Sequence, residues 1–354
     1  MGKPEETHAI GVHGAPDLPA VVVDSYNAEI RDEDGFVGDR ASRSAFQEAL
    51  DEARKAFREL GPDPLGKEST ERLSRKKLGK ILAEGDPRAA TVVQSAVEEF
   101  AQDLAGVIRR FLKLKAWQDT ERIVIGGGLR EHRVGELAIF RTEMILTTGD
   151  VKIGLDPISH HPDEAGLIGA VHLVPPWILE GFEAILAVDI GGTNIRSGIV
   201  QHNLKKSADF SKAAVWKADI WRHADAKPSR GKTVDRLLSM LRSLVTAAEK
   251  EKIKLAPFVG IGCPGRICED GSIEAGAQNL PGDWESSHFN LPKLIADGLP
   301  TIGAHRTHVL MHNDAVVQGL SEVPAMRNVR HWGVLTIGTG LGNARFTTRG
   351  AESR

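Results

Sequence analysis

Twice in this chain a run of apolar, strand-forming residues breaks into a glycine-rich turn. Ile185-Leu186-Ala187-Val188 runs into Asp189-Ile190-Gly191-Gly192-Thr193-Asn194-Ile195-Arg196, and the segment from Trp332 runs into Thr336-Ile337-Gly338-Thr339-Gly340-Leu341-Gly342-Asn343. A strand that ends in glycines can turn sharply and present bare backbone N–H groups as a concavity for an anion. Thr193 and Thr339 add hydroxyl donors. Asp189 stands where a carboxylate can hold Mg²⁺ through water while neighbouring amides take phosphate oxygens. The competing reading of either turn alone, and the weaker one, is a plain β-hairpin. The two together point to a two-sided phosphate clamp.

The 354 residues are enough for two lobes with a large buried core. A hydrophobic content of 41% and a charged content of 26% are ordinary for a soluble globular protein. The net charge of −3 gives no electrostatic reason to expect nucleic acid, and no dense Lys/Arg run is interleaved with aromatics. Small-molecule chemistry is therefore the expectation. No apolar run approaches the roughly 18 residues that span a bilayer. The start, Met1-Gly2-Lys3-Pro4-Glu5-Glu6, is polar without a signal-peptide core, so a cytoplasmic location with no membrane partner is expected. Cys263 and Cys268 are too few for a disulfide framework or a four-cysteine zinc site, and are read as free thiols.

Residues 1 to 40 are rich in Asp, Glu, Gly and Pro, with strand-like pieces at Ala20 to Val23 and near Ala28-Glu29-Ile30. A helix is expected from about Ser42 to Leu60, with Ser42 as N-cap and Phe46, Ala49, Leu50, Ala53 and Phe57 on one face. A longer one is expected from about Asp86 to Lys113, with Pro87 in its first turn and an apolar stripe through Val93, Phe100, Leu104 and Phe111. Arg122 to Ile125 is a short buried strand opening on Gly126-Gly127-Gly128, where bare backbone lets a flat ring or phosphate approach, or which is a simple loop. A helix from about Val134, a short helix around Asp163 to Ala170 and a connector at Pro175-Pro176 follow. From Ile185 the pattern is strand, turn, strand, a helix near Val234 to Glu249, a strand at Phe258 to Gly262, and a strand at His308 to Met311 delivering His312-Asn313-Asp314 to a helix. This alternation indicates an α/β fold.

Asp314 is the candidate catalytic carboxylate. It sits at a strand-to-helix switch, where active-site groups are held rigidly and an Asp can take the proton of an attacking hydroxyl. An Asp there also suits helix capping. Asn279-Leu280-Pro281-Gly282-Asp283-Trp284 is a second candidate, a polar loop whose Asn279 and Asp283 could bond a polyol while Trp284 covers an apolar sugar face, or else a surface turn. Gly260-Ile261-Gly262-Cys263-Pro264-Gly265 matches a G-x-G-x-x-G pattern, yet Arg266 to Ser272 looks like strand and turn, and a dinucleotide site needs a helix there. No G-x-x-x-x-G-K-[ST] loop is present.

Asp189 to Arg196, Gly262 to Gly265, Asn279 to Gly282, Asn313-Asp314-Ala315 and Gly338 to Gly342 resemble, in order, the first half of ROK-family sugar kinases, members of the actin-like ATPase superfamily with the hexokinases and glucokinases. Arg122 to Gly128 resembles the adenosine-binding turn of that family, and Pro162 to Ala170 its closing helix. The carboxy-terminal part of the family pattern thus precedes the amino-terminal part, so the chain looks like a circular permutant, with a linker around Val174 to Glu183 and with Met1 and Arg354 on one lobe. Permutation is physically acceptable where the original ends lie close together.

The resemblance implies a two-lobed, actin-like (ribonuclease H-like) α/β fold, with a larger lobe at 1–158 plus 318–354 and a smaller one at 159–317. It implies ATP and Mg²⁺ as donor and cofactor, with Asp189 near the metal. Gly191, Gly192, Thr193, Asn194, Arg196, Gly338, Thr339 and Gly340 would surround the phosphates, and Gly126, Gly127 and Gly128 the adenosine. Asn279, Asn313, Asp314, Gly265 and Asp283 would face a sugar, Asp314 acting as base. A homodimer is the family's suggestion. The Glu-x-Gly-His segment and Cys-rich zinc site of the family would fall within 344 to 42 across the chain ends, and neither is present. Structural zinc is therefore not expected, and sugar identity is open. The expected activity is transfer of a γ-phosphoryl group to a hexose hydroxyl by lobes that close over the substrates. The alternatives are a non-catalytic sugar- or nucleotide-binding regulator, or a kinase using polyphosphate or another acceptor.

Overall fold

The computed structural model describes residues 11–128 and 132–351. Met1 and Arg354, expected on one lobe, lie outside the described residues. The principal strands in chain order are β1 (Val21–Tyr26), β2 (Arg122–Gly126), β3 (Gly154–Pro157), β4 (Ala184–Ile190), β5 (Ile195–Gln201), β6 (Ala214–Trp221), β7 (Leu255–Cys263), β8 (His308–Asn313), β9 (His331–Ile337) and β10 (Leu341–Thr348). The main helices are α1 (Arg43–Arg58), α2 (Arg75–Glu84), α3 (Pro87–Phe111), α4 (Arg133–Thr148), α5 (Pro162–Gly169), α6 (His223–Ala226), α7 (Arg230–Lys250), α8 (Leu291–Gly298) and α9 (Asp314–Leu320). The chain divides into two compact units, Met1–Val23 with Asp163–Arg327, and Asp24–Pro162 with Asn328–Arg354.

The unit holding Asp163–Arg327 is built on a five-stranded sheet of order β6-β5-β4-β7-β8. β4 and β5 form an antiparallel hairpin, β6 extends it antiparallel, and β7 and β8 run parallel to β4. Every residue of β4 is buried, as expected for a central strand covered on both faces. α7 lays Val234, Leu237, Leu241 and Leu244 on the sheet, closing a core with Val188, Ile261 and Trp284. It begins at Arg230, behind a Ser229 cap, four residues before the expected start.

The other unit carries a sheet of order β1-β10-β9-β2-β3. Here β9 and β10 make the antiparallel hairpin, and β2 and β3 are the parallel strands. Asp24 bonds Arg345 and Thr347 while Asn27 N–H donates to the Asn343 carbonyl, so β1 runs antiparallel to β10. The two sheets therefore share one strand order, with β1 standing where β6 stands in the first.

The expected helices at Ser42 and Asp86 form as α1 and α3. Ser42 accepts from Ala45 N–H, and Asp86 from Arg88 and Ala89 N–H with Pro87 behind it. Their apolar faces meet through Phe46 and Phe100, edge to face at 5.8 Å, over Ile123, Ile125, Leu335 and Ile337 of the sheet. Ala28 to Ile30, expected as a strand, is irregular instead. Its backbone groups are taken by the buried Asn343 side chain, which bonds both the N–H and the carbonyl of Ala28. Cys263 and Cys268 are both free. Among the described residues, no helix is long and apolar enough to cross a membrane.

Candidate active site

The carboxyl ends of β4, β7 and β8 lie side by side. Asp189 on β4 is in register with Gly262, and Asn313 on β8 with Cys263. Ligands of parallel sheets gather at this edge, because loops and helix N-termini converge there. The first glycine turn, Gly191 to Asn194, connects β4 to β5 as a hairpin, with Asp189 opposite Arg196 across the pair. The plain hairpin and the anion-binding turn are thus one structure. Neither Gly191 nor Gly192 is forced by packing. A Cβ on Gly191 would come no nearer than 3.5 Å to the Asn194 carbonyl, and one on Gly192 would touch Asn279 at 3.4 Å. That second contact also places the exposed Asn279 beside the turn.

Arg196 does not point free into solvent. Its guanidinium bonds Asp163 on α5 at 2.7 Å and Asp189 at 3.2 Å. Two carboxylates hold it cationic against its burial and raise its pKa. Burial pushes the Asp189 carboxyl up and Arg196 pulls it back. α5 reaches this close because Gly166 has no Cβ, which would otherwise lie 2.6 Å from the Asp189 carboxyl carbon.

Asp314 is half-buried at the first position of α9, and it is not the cap. Asn313 takes that role, accepting from Ala315 and Val316 N–H, while its amide donates to the Gly265 carbonyl at 3.0 Å. Asn313 is therefore a buried brace between α9 and the Gly265 loop, whose Gly265 has a positive φ of 103°. His312 accepts from Asn313 N–H at Nδ1 and bonds the Ala15 carbonyl through Nε2, and burial pushes its ring down to about 4 against the Ala15 bond. Burial, followed by the Asp189 charge, pushes the Asp314 carboxyl up to about 7. The buried Cys263 thiol between them is held protonated by the same causes.

The loop from Asn279 to Trp284 departs from expectation in one respect. Trp284 does not cover a sugar face. It is buried in the core, its Nε1–H on the Pro281 carbonyl and its ring edge-to-face with Phe289 at 5.0 Å, because so large an apolar ring contributes more inside than on a wet loop. Asp283 is exposed. Its carboxylate accepts from Glu285 N–H, and Arg230 of α7 donates to its carbonyl. The rejected dinucleotide pattern is followed by a short hairpin, Arg266–Ile267 with Ile273–Ala275, and not by a helix.

In the other unit the second glycine turn closes the β9–β10 hairpin, with Gly338 N–H donating to the Gly340 carbonyl. A Cβ on Gly340 would meet nothing within 4 Å, so the backbone there is open for a ligand. Gly126 is paired with Thr336, and Gly127, with φ of 81°, lies against Ile337, where a Cβ would be 2.3 Å from the carbonyl oxygen. The triple glycine and the second turn are therefore neighbours. Beside them is a cavity of about 340 Å³. Its buried wall is Phe46, Leu50, Leu73 and Leu78, and its rim carries Arg43, Arg72, Arg75 and His132. Arg43 N–H donates to the Gly338 carbonyl and Arg75 to the Gly128 carbonyl, tying the cavity to both turns. The loop along its edge is pinned by the buried Arg54, which bonds Asp63, Thr70 and the carbonyls of Gly66 and Glu68.

Sequence reasoning missed Arg43, Arg75, Asp163 and the cavity wall. A signal exists for the arginines: both follow a helix-capping serine, as Ser42-Arg43 and Ser74-Arg75.

A glucokinase from Thermotoga maritima is 30% identical over 170 residues, which cover 46% of this chain and 44% of that protein. The chain spans about half the length of the curated relative it matches. A ROK hexokinase of known structure from Thermus thermophilus shows 16% identity over 45% of each chain, with a TM-score of 0.30. A candidate sugar kinase from Cytophaga hutchinsonii shows 20% identity over 48% of each chain, with a TM-score of 0.32. No protein-family model matches the chain. The sugar-kinase resemblance noted in the motifs thus has a counterpart in the 170 residues aligned with that glucokinase.

Proposed function

We propose that the protein is a sugar kinase that transfers the γ-phosphoryl group of ATP, with Mg²⁺, to a hydroxyl of a hexose such as glucose. The observation that carries this reading is the placement of Asp189 at the carboxyl end of β4 and Asp314 just past that of β8, on either side of β7, beside the bare turn Gly191 to Asn194. A carboxylate that titrates near neutral pH suits general base catalysis. Asp314 takes the proton of the acceptor hydroxyl as its oxygen bonds to phosphorus, and the bond from phosphorus to the bridging oxygen breaks, releasing ADP. Asn279 and the Gly265 loop, held by Asn313, orient the sugar. The amides of the first glycine turn, Gly191 to Asn194, take phosphate oxygens.

The residues fit a metal carried in with phosphates. Among the described residues no three His, Cys, Asp or Glu side chains form a metal cluster, and Mg²⁺ is usually held by one or two carboxylates plus substrate phosphates and waters. Asp189 is the carboxylate that would hold it, through water, since Arg196 already occupies one of its oxygens. Mg²⁺ bound there supplies charge neutralisation for the transferred group.

The rim of Arg43, Arg72 and Arg75 favours a second reading of the donor, a polyphosphate chain. We also infer that the chain order is permuted, from β1 standing beside β10 as β6 stands beside β5. Coupled ADP release across hexoses, N-acetylhexosamines and polyols, with polyphosphate as an alternative donor, tests the function. Turnover of a hexose with ATP supports it, whereas measurable sugar or nucleotide binding with no turnover across the panel makes the protein a regulator.

A further inference from the structure

The first glycine turn is held open by a histidine outside every motif discussed above. The Asn194 carbonyl accepts from Gly191 N–H at 2.9 Å, the Thr193 carbonyl from Ala224 N–H at 3.3 Å, and the Gly191 carbonyl from His223 Nε2 at 2.8 Å. In a closed two-residue hairpin loop, Asn194 N–H would return a bond to the Gly191 carbonyl. Here His223 has taken that acceptor. Among the described residues, the N–H groups of Gly192 and Asn194 have no acceptor, although the turn is only half-exposed.

His223 is buried, 2% exposed, just past the end of β6, and its ring meets Trp221 edge to face at 6.1 Å. A carbonyl can only accept, so Nε2 carries the hydrogen. We infer that His223 is a positioning residue for the phosphate donor, drawing the Gly191 carbonyl to itself and leaving the Asn194 amide for a phosphate oxygen. Ala224, the next residue, fixes the Thr193 carbonyl in the same way. Three of the turn's four carbonyls are thus satisfied from within the protein, and its unbonded amides are the groups an anion would meet. The inference rests on the reading that this turn holds phosphate.

Steady-state kinetics with MgATP and a hexose that the wild type turns over provide the test. His223→Phe keeps a ring for Trp221 but has no donor, and His223→Gln restores an N–H. With one hydrogen bond lost at the turn, the KM for MgATP rises about tenfold in H223F, the KM for the hexose stays within about twofold, and H223Q recovers most of the loss. MgADP binding by calorimetry shows the same order. If H223F gives no cooperative melt, His223→Met is read in its place. A nucleotide KM and affinity equal to wild type in H223F overturns the inference, as does an equal rise in both KM values that H223Q does not reverse. A wild-type protein that neither turns over nor binds MgATP overturns the functional reading and this inference together.

Discussion

Burial and the Asp189 charge lift the Asp314 carboxyl from 3.8 to about 7. The two consequences run in opposite directions. As a base it works only when ionised, so kcat should rise with pH through about 7 in a rate profile. For stability, the folded state holds the proton more tightly than the unfolded chain, so the Asp314 contribution is complete below pH 3.8 and is lost as pH rises through about 7. Asp314→Asn should therefore lower turnover by about 10²–10⁴ while leaving the melting temperature at pH 8 unchanged or higher. A near-normal rate removes Asp314 from the chemistry. Arg196→Met leaves Asp189 buried without its cation, which should cost about 3–5 kcal/mol in urea unfolding. A loss below about 1 kcal/mol shows the pair to be inessential.

At the level of elements, glycine serves two separate purposes, and substitution separates them. α5 packs so tightly that a Cβ on Gly169 would lie 1.7 Å from the Val317 carbonyl on α9. Gly169→Ala should therefore displace α5 and destabilise the fold by about 1–3 kcal/mol, seen as an earlier thermal transition. Gly340 meets nothing, and its backbone is not left-handed. Gly340→Ala should raise stability by about 0.4–1 kcal/mol through the unfolded chain, while a raised KM for the phosphate donor reports the methyl group in the ligand's place. Helices α1 and α3 were legible because cap, first-turn proline and apolar stripe agree. β6 and α2 were not. β6 has no clean alternation, with five of its eight residues exposed and Val215, Asp219 and Trp221 half-buried, and α2 buries only Leu78. Such elements are held by their neighbours, β6 by pairing with β5 and α2 by its cap and by Arg75 on Gly128.

Across the whole chain, one strand order occurs twice, and in each unit the central strand opens on a glycine hairpin. The third strand of one sheet follows its hairpin directly, as β6. In the other it comes from the opposite end of the sequence, as β1. A chain opened between 174 and 183, with its present ends joined by a flexible linker, should give the same far-ultraviolet circular dichroism and a cooperative melt, since closing a loop of modest length costs little. Failure to fold would mean that the present order is required.

The local order of apolar, glycine and capping residues determined by itself that the chain is α/β, where its glycine turns fall and which carboxylate ends a strand, because these depend on neighbours within a turn or two. Only the tertiary structure decided that Asn313 and not Asp314 caps α9, that Trp284 belongs to the core, that Arg196 is held between two acids and that Arg43, Arg75 and His223 back the turns. Those outcomes depend on which groups, distant in sequence, meet where water is excluded, and there an unpaired charge or unbonded carbonyl costs too much to leave.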